Sequence, residues 1–239
     1  MKKEFIASES RGKANHGWLK SNFSFSFSHY YDPSRVHFGM LRVLNDDWIG
    51  EGEGFPMHPH DNMEIVTLVL RGAVAHEDTT GGRDVIRAGQ IQMMHAGKGL
   101  QHSEFNASET ESLELLQMWV FPKWKDVKPG YETLTISDLM RPNELVSIVS
   151  HDGRNDSLVI QQDAAFHVGF FDEDTELNWV PNQSGNGVYF FQIEGGSDIE
   201  GQTLGRRDAF QVWDFEGPIR LSVKKGSHLL AIEVPTKLG

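Results

Sequence analysis

Apolar and polar residues alternate with period two along most of the chain, and helical periodicity is nearly absent. The run Phe23-Ser-Phe25-Ser-Phe27-Ser alternates strictly, which predicts a half-buried strand. Residues 64–70, 90–94, 113–121, 187–193 and 229–234 extend the pattern with β-branched and aromatic residues, and each is expected to be a strand. One helical turn is expected over 136–144, with Ser137 able to cap it. Glycine and Asn/Asp turn signals separate these runs at close spacing. The pattern predicts an all-β fold of the sandwich or jelly-roll barrel kind.

The chain also repeats itself loosely. Val69-Leu70-Arg71-Gly72, a polar hairpin and Ala88-Gly89-Gln90 are echoed by Ile193-Glu194-Gly195, a polar hairpin and Arg207-Asp208-Ala209-Phe210. Two barrels are expected, 1–135 and 136–239, with the connection in the Asp-, Asn-, Arg- and Ser-rich stretch 131–156.

Composition narrows the chemistry. The 239 residues suffice for one large or two small domains, and 34 Asp+Glu against 22 Lys+Arg give a net charge of −12. That balance argues against direct nucleic-acid binding and against an anionic membrane surface, since both need clustered Lys and Arg. The first residues carry Glu4, Ser8, Glu9 and Arg11 where a secretory signal needs an apolar run, and no long apolar stretch follows. A soluble cytoplasmic protein is expected. Zero cysteine beside 11 histidines excludes disulfide frameworks, thiolate metal sites and thiol nucleophiles, so any metal must be held by nitrogen and oxygen.

The densest such chemistry is His58-Pro-His60, with Glu64 at the same parity, and His102-Ser-Glu104. Residues two apart on a strand share a face, so each pair can point to one interior site. Parity alone leaves Glu64 and Glu104 both open as the carboxylate ligand. Imidazole and carboxylate donors suit one divalent ion, Fe(II) first, with Mn, Ni, Co, Cu or Zn as alternatives. Four protein ligands on an octahedral ion leave two open positions for a substrate and dioxygen. The other histidines are expected to be ordinary packed or surface residues.

At these residues the sequence resembles the cupin superfamily. Gly52, His58, His60 and Glu64 fit its first motif, with Gly72 one residue late, and Gly89, Gly97, His102 and Asn106 fit its second, with His95 where proline is usual. The departures are similar to the pirin branch, in which HPH, HED and AG-x-G-x-x-HSE recur in order, here His58-Pro-His60, His76-Glu-Asp78 and Ala96 to Glu104. Asn15-His-Gly-Trp-Leu19 and Tyr30-Tyr-Asp-Pro33 also resemble bacterial quercetinase-type pirin-like proteins.

The resemblance implies a bicupin with one metal, in the N-terminal barrel, held by His58, His60, His102 and Glu104. Glu64 is then an outer partner or an alternative ligand. The implied activity is dioxygen-dependent cleavage of flavonols such as quercetin, a small aromatic substrate, with Glu104 as general base and Glu64 as the alternative base. Phe55 and Met63 are candidate pocket walls. Asn45 and Asp46, in the run Asn45-Asp46-Asp47, are candidate outer partners of a ligating imidazole, with a turn as the plainer reading. Two other functions stay open: a non-enzymatic, redox-sensing regulator that binds a protein partner, and a cupin enzyme on another metabolite. The second half contains no H-x-H, and the equivalent interval before Gly195 lands on Pro181 and Gln183, so no second metal site is expected.

Overall fold

The computed structural model describes residues 1–237. Strands dominate it, and the helical content among the described residues is three single turns of 3-10 helix. No helix among them is long and apolar enough to cross a membrane. The chain forms two compact units, one of residues 12–137 with 160–162, the other of 1–11, 138–159 and 163–237 among the described residues.

Each unit is built from a seven-stranded and a four-stranded sheet. In the first, the seven-stranded sheet centres on Glu64–Arg71, Leu113–Val120 and Leu41–Ile49, and the four-stranded sheet runs Gly54–His60, Leu100–Asn106, Ala73–Asp78, Arg83–Arg87. In the second, the corresponding centre is Asn186–Glu194, Ser227–Pro235 and Ala165–Phe171, and the smaller sheet runs Thr175–Trp179, Ile219–Val223, Ser197–Ile199, Gln202–Leu204. Strand order therefore repeats between the units. The repeat reaches single residues: Gly72 and Gly195 follow matching strands at φ of 76° and 77°, and a Cβ at either would press on the residues that open the neighbouring strand, Ser112 and Ser227.

Alternation explains why these segments are strands. Val69, Val74, Ile86, Leu113 and Leu115 face one interior in the first unit, and Val188, Phe190, Phe210, Val212, Leu221 and Leu229 face the other. The predicted runs appear as Glu64–Arg71, Gln90–His95, Leu113–Val120, Asn186–Glu194 and Ser227–Pro235.

Three expectations change. The alternating Phe23–Phe27 run leaves the sheet after Leu19–Phe23, and its backbone bonds irregularly, Ser24 N–H to Leu44 O and Ser26 N–H to Arg35 O. The helical turn shrinks to the single 3-10 turn Ile136–Asp138. The chain passes from the first unit to the second at 137/138, inside the stretch 131–156, which also contains most of the strand Gly130–Thr135 and all of Val146–Ser150. Neither unit is contiguous: Lys2–Ile6 pairs with Ala209–Trp213 of the second unit, while 160–162 belongs to the first. Strand pairing so distant in sequence leaves no local signature.

Gly54 marks the tightest backbone approach beside the histidine strand. A Cβ there would meet the Glu104 carbonyl oxygen and Phe105 Cα, neither of which can swing away. Gly54→Ala is expected to destabilise the protein by about 1–3 kcal/mol, as overpacking does, and thermal unfolding checks this.

Candidate metal centre

The strand Gly54–His60 lies at the edge of its four-stranded sheet and pairs with Leu100–Asn106, which places His58 opposite His102. An edge strand tolerates Pro56 and Pro59, which have no N–H to donate. Ala73–Asp78 flanks Leu100–Asn106 on its other side, with His76 opposite Glu104 and Asp78 opposite His102. Pairing with the edge strand slips between His102 and Glu104, a bulge of the kind that re-aims side chains.

The three rings of His58, His60 and His102 crowd together, with centroids 4.4 to 4.9 Å apart. Their ligand atoms lie within 4.8 Å of one another, and a second group, His76, His102 and Glu104, meets the same limit. His102 is shared by both groups and is 1% exposed, yet neither of its ring nitrogens has a hydrogen-bond partner. His58 Nδ1 donates to the Pro56 carbonyl at 2.8 Å, which leaves Nε2 as its lone-pair nitrogen. Burial and the neighbouring imidazoles lower His60 to about 4 and His102 to about 3, so both rings are neutral at pH 7. Neutral imidazoles with unclaimed nitrogens beside a carboxylate are what a divalent ion needs, so the donor set fits a metal.

Outer contacts orient this set. Gln117 Nε2 donates to Glu104 Oε2 at 2.7 Å, and Trp119 Nε1 donates to Gln117 Oε1 at 3.1 Å. The Trp119 ring also stands edge-on to His60, at 4.9 Å and 84°. His76 Nε2 donates to Asp78 Oδ2 at 3.0 Å, while its buried Nδ1 has no partner. Gln117, Trp119 and His76 were not singled out by spacing. Their signal was a glutamine and a tryptophan at one parity within an apolar run, and the histidine of His76-Glu-Asp78.

Glu64 stands apart from both groups. The chain turns at Asn62, which has φ 44°, and Glu64 opens a strand of the other sheet, so parity with His60 does not carry across. Its Oε2 accepts from His95 Nδ1 at 2.7 Å and from the Gln161 N–H at 2.9 Å.

A cavity of about 460 Å³ opens onto the histidines and is lined by His58, His60 and Glu104. Phe55 lines it, with Trp18, Phe23 and Phe27, whereas Met63 packs against Ile65, Met94 and Leu100. Asn45-Asp46-Asp47 is no turn: it lies within the strand Leu41–Ile49. Asn45 and Asp47 face the cavity, and Asp46 has the opposite parity. Asn45 Oδ1 and Asp47 Oδ1 are buried without partners. Asp47 is raised to about 7, first by burial and then by Asp46 and Glu104, against a hydrogen bond from Ser21.

Two jelly-roll barrels in one chain, the first presenting an H-x-H strand to an H-x-E strand, define a protein of two cupin domains. The Pirin family pattern matches residues 5–120, and the Quercetinase C-terminal cupin domain pattern matches 147–234. The chain belongs to the pirin family. It is 38% identical over 226 residues to a protein named quercetin 2,3-dioxygenase from Escherichia coli (strain K12), covering 94% of this chain and 95% of that one. It is 33% identical over 223 residues to a pirin-like protein of Caulobacter vibrioides, covering 93% and 95%. The solved structure of the bacterial pirin YhhW from Escherichia coli in complex with nickel(II) superposes with a TM-score of 0.89 at 36% identity, over 98% of this chain and 99% of that one.

Asp47 gives a pH test. Its folded value lies above the ordinary 3.8, so the folded chain keeps a proton that the unfolded chain releases, and stability from this group falls as pH rises from about 4 through 7. In chelator-treated protein, Asp47→Asn is expected to gain about 2–3 kcal/mol relative to the parent between pH 5 and pH 8, as measured by urea unfolding.

Proposed function

We propose that the first barrel is a metal-dependent dioxygenase site that cleaves the heterocycle of flavonols such as quercetin, with His58, His60, His102 and Glu104 as the metal ligands. The observation that carries this reading is the continuity of the histidine cluster with an aromatic-walled cavity of about 460 Å³, the size of a small-molecule site. The activity named for the Escherichia coli relative and the nickel(II) in the related pirin structure support it.

A divalent ion held by these four residues would supply Lewis acidity toward the hydroxyl and carbonyl oxygens of a flavonol, lowering the hydroxyl pKa. Glu104 is the base assigned to that hydroxyl proton in this reading. Gln117 donates to its Oε2, which holds the carboxylate in one orientation and leaves the two lone pairs of Oε1 for the ion and the proton. Trp18 and Phe55 meet edge-on at 5.4 Å and offer a flat apolar wall that excludes water from a bound ring system. Asn45 Oδ1 and Asp47 Oδ1, both short of a partner, offer acceptors to hydroxyl groups of a polyphenol, and so favour hydroxylated rings over bare ones. Glu64, already bound to His95 and the Gln161 N–H, is left out of the ligand set.

Two measurements test this. Elemental analysis should find one divalent ion per chain in the parent and in Glu64→Gln, and little in His58→Ala, His102→Ala or Glu104→Ala. Retained metal in His102→Ala would sink the ligand set. Protein reconstituted with Fe(II), Mn, Ni, Co or Cu should bleach the flavonol absorbance of quercetin in air with release of carbon monoxide, and Glu104→Gln should slow this by about 100-fold or more. Absence of turnover with every metal would overturn the activity.

A further inference from the structure

The second barrel contains a buried polar cluster that the metal centre does not use. Ser147 on Val146–Ser150 stands directly opposite His167 on Ala165–Phe171, and Glu233 lies on Ser227–Pro235, the next strand across. Ser147 Oγ is 3.0 Å from His167 Nδ1, and His167 Nε2 is 2.6 Å from Glu233 Oε1. Three residues of the nucleophile, base and orienting-carboxylate types thus form one hydrogen-bonded line across three adjacent strands. The ladder slips between Ser147 and Val149, so the serine sits at a bulge.

The surrounding donors assign the protons. Glu233 accepts from the backbone N–H of Asn182 at 2.8 Å and of Gln183 at 3.2 Å, as well as from His167 Nε2. A carboxylate oxygen can only accept here, which puts a proton on Nε2, and in the neutral ring Nδ1 is then the lone-pair nitrogen. Asn182 Nδ2 donates to Ser147 Oγ at 3.1 Å, so the serine proton is directed at His167 Nδ1. A hydroxyl has two lone pairs, and one remains unclaimed for attack. Ser147, His167, Trp179 and Asn182 all line one cavity of about 530 Å³. The Trp179 ring meets the His167 ring edge-on at 5.1 Å and forms an apolar wall beside the hydroxyl.

We propose that Ser147, His167 and Glu233 form a serine-dependent acyl-transfer site that hydrolyses short-chain carboxylic esters. Ser147 Oγ attacks the ester carbonyl carbon, and its proton passes to His167 Nδ1. The carbon–oxygen bond to the alcohol then breaks, and His167 returns the proton to the leaving oxygen. Water attacks the acyl-serine, again losing a proton to His167, and the acid departs as Ser147 regains its own. Glu233 holds the ring and stabilises the transient imidazolium. The Asn182 amide, which donates to Ser147 Oγ, is the donor this proposal assigns to the developing oxyanion.

The test uses the full chain after chelation, so that no metal contributes. A fluorophosphonate probe should label the protein, and peptide mass spectrometry should find the added mass on Ser147. p-Nitrophenyl butyrate should be hydrolysed above the buffer rate, and Ser147→Ala, a small change checked for folding by circular dichroism, should lower this excess by about 100-fold or more. An unlabelled Ser147, or hydrolysis that persists in folded Ser147→Ala, overturns the proposal. Probe labelling of the parent chain decides the question even if a variant fails to fold.

Discussion

The first barrel is organised around a costly desolvation. Three imidazoles share a space in which their centroids are less than 5 Å apart, and His102 has no hydrogen-bond partner at either nitrogen. A buried polar group without a partner costs about 1–3 kcal/mol, and burial also holds His60 and His102 in the neutral form. Such a cluster persists only if the surroundings over-determine it. The Pro56 carbonyl fixes one ring, Trp119 walls another, and Gln117 pins the carboxylate, so the sheet acts as a clamp on groups that would otherwise turn toward solvent.

What was legible in the sequence follows from which interactions are local. Strands such as 64–70 and 229–234 could be read because a central strand buried on both faces leaves a short, nearly continuous run of β-branched and aliphatic residues. Period two misled at Phe23–Phe27, where an irregular extended segment also buries alternate side chains: Phe25 is 2% exposed outside any ladder. His58 with His60, and His102 with Glu104, are visible as pairs because two-residue spacing survives folding. Glu64 looked equivalent only until the turn at Asn62, a single residue in the left-handed region, moved it to another sheet. Gln117 was not legible, because its importance comes from register, opposite Asn45, and His76 was visible only through the motif His76-Glu-Asp78, its place opposite Glu104 being set by register.

The two barrels separate architecture from chemistry. Their sheets share strand order and even a turn glycine, yet the interior strand Leu41–Ile49 carries Asn45 and Asp47 where the matching Ala165–Phe171 carries His167. The strand matching the histidine-bearing edge, Thr175–Trp179, has no histidine. Apolar inward positions are what the repeat demands, while the few polar inward positions are free to diverge once each finds partners.

The pairing of Lys2–Ile6 with Ala209–Trp213 sets an order of events during synthesis. Residues 2–6 are made about two hundred residues before the strand Ala209–Trp213, with which they form their ladder among the described residues. A waiting edge strand is an invitation to wrong partners. Its composition answers that hazard: Lys2, Lys3 and Glu4 place three charges in a five-residue strand, and only Ile6 is buried in the finished sheet. The segment can therefore wait with its charges in water until its partner strand has been made.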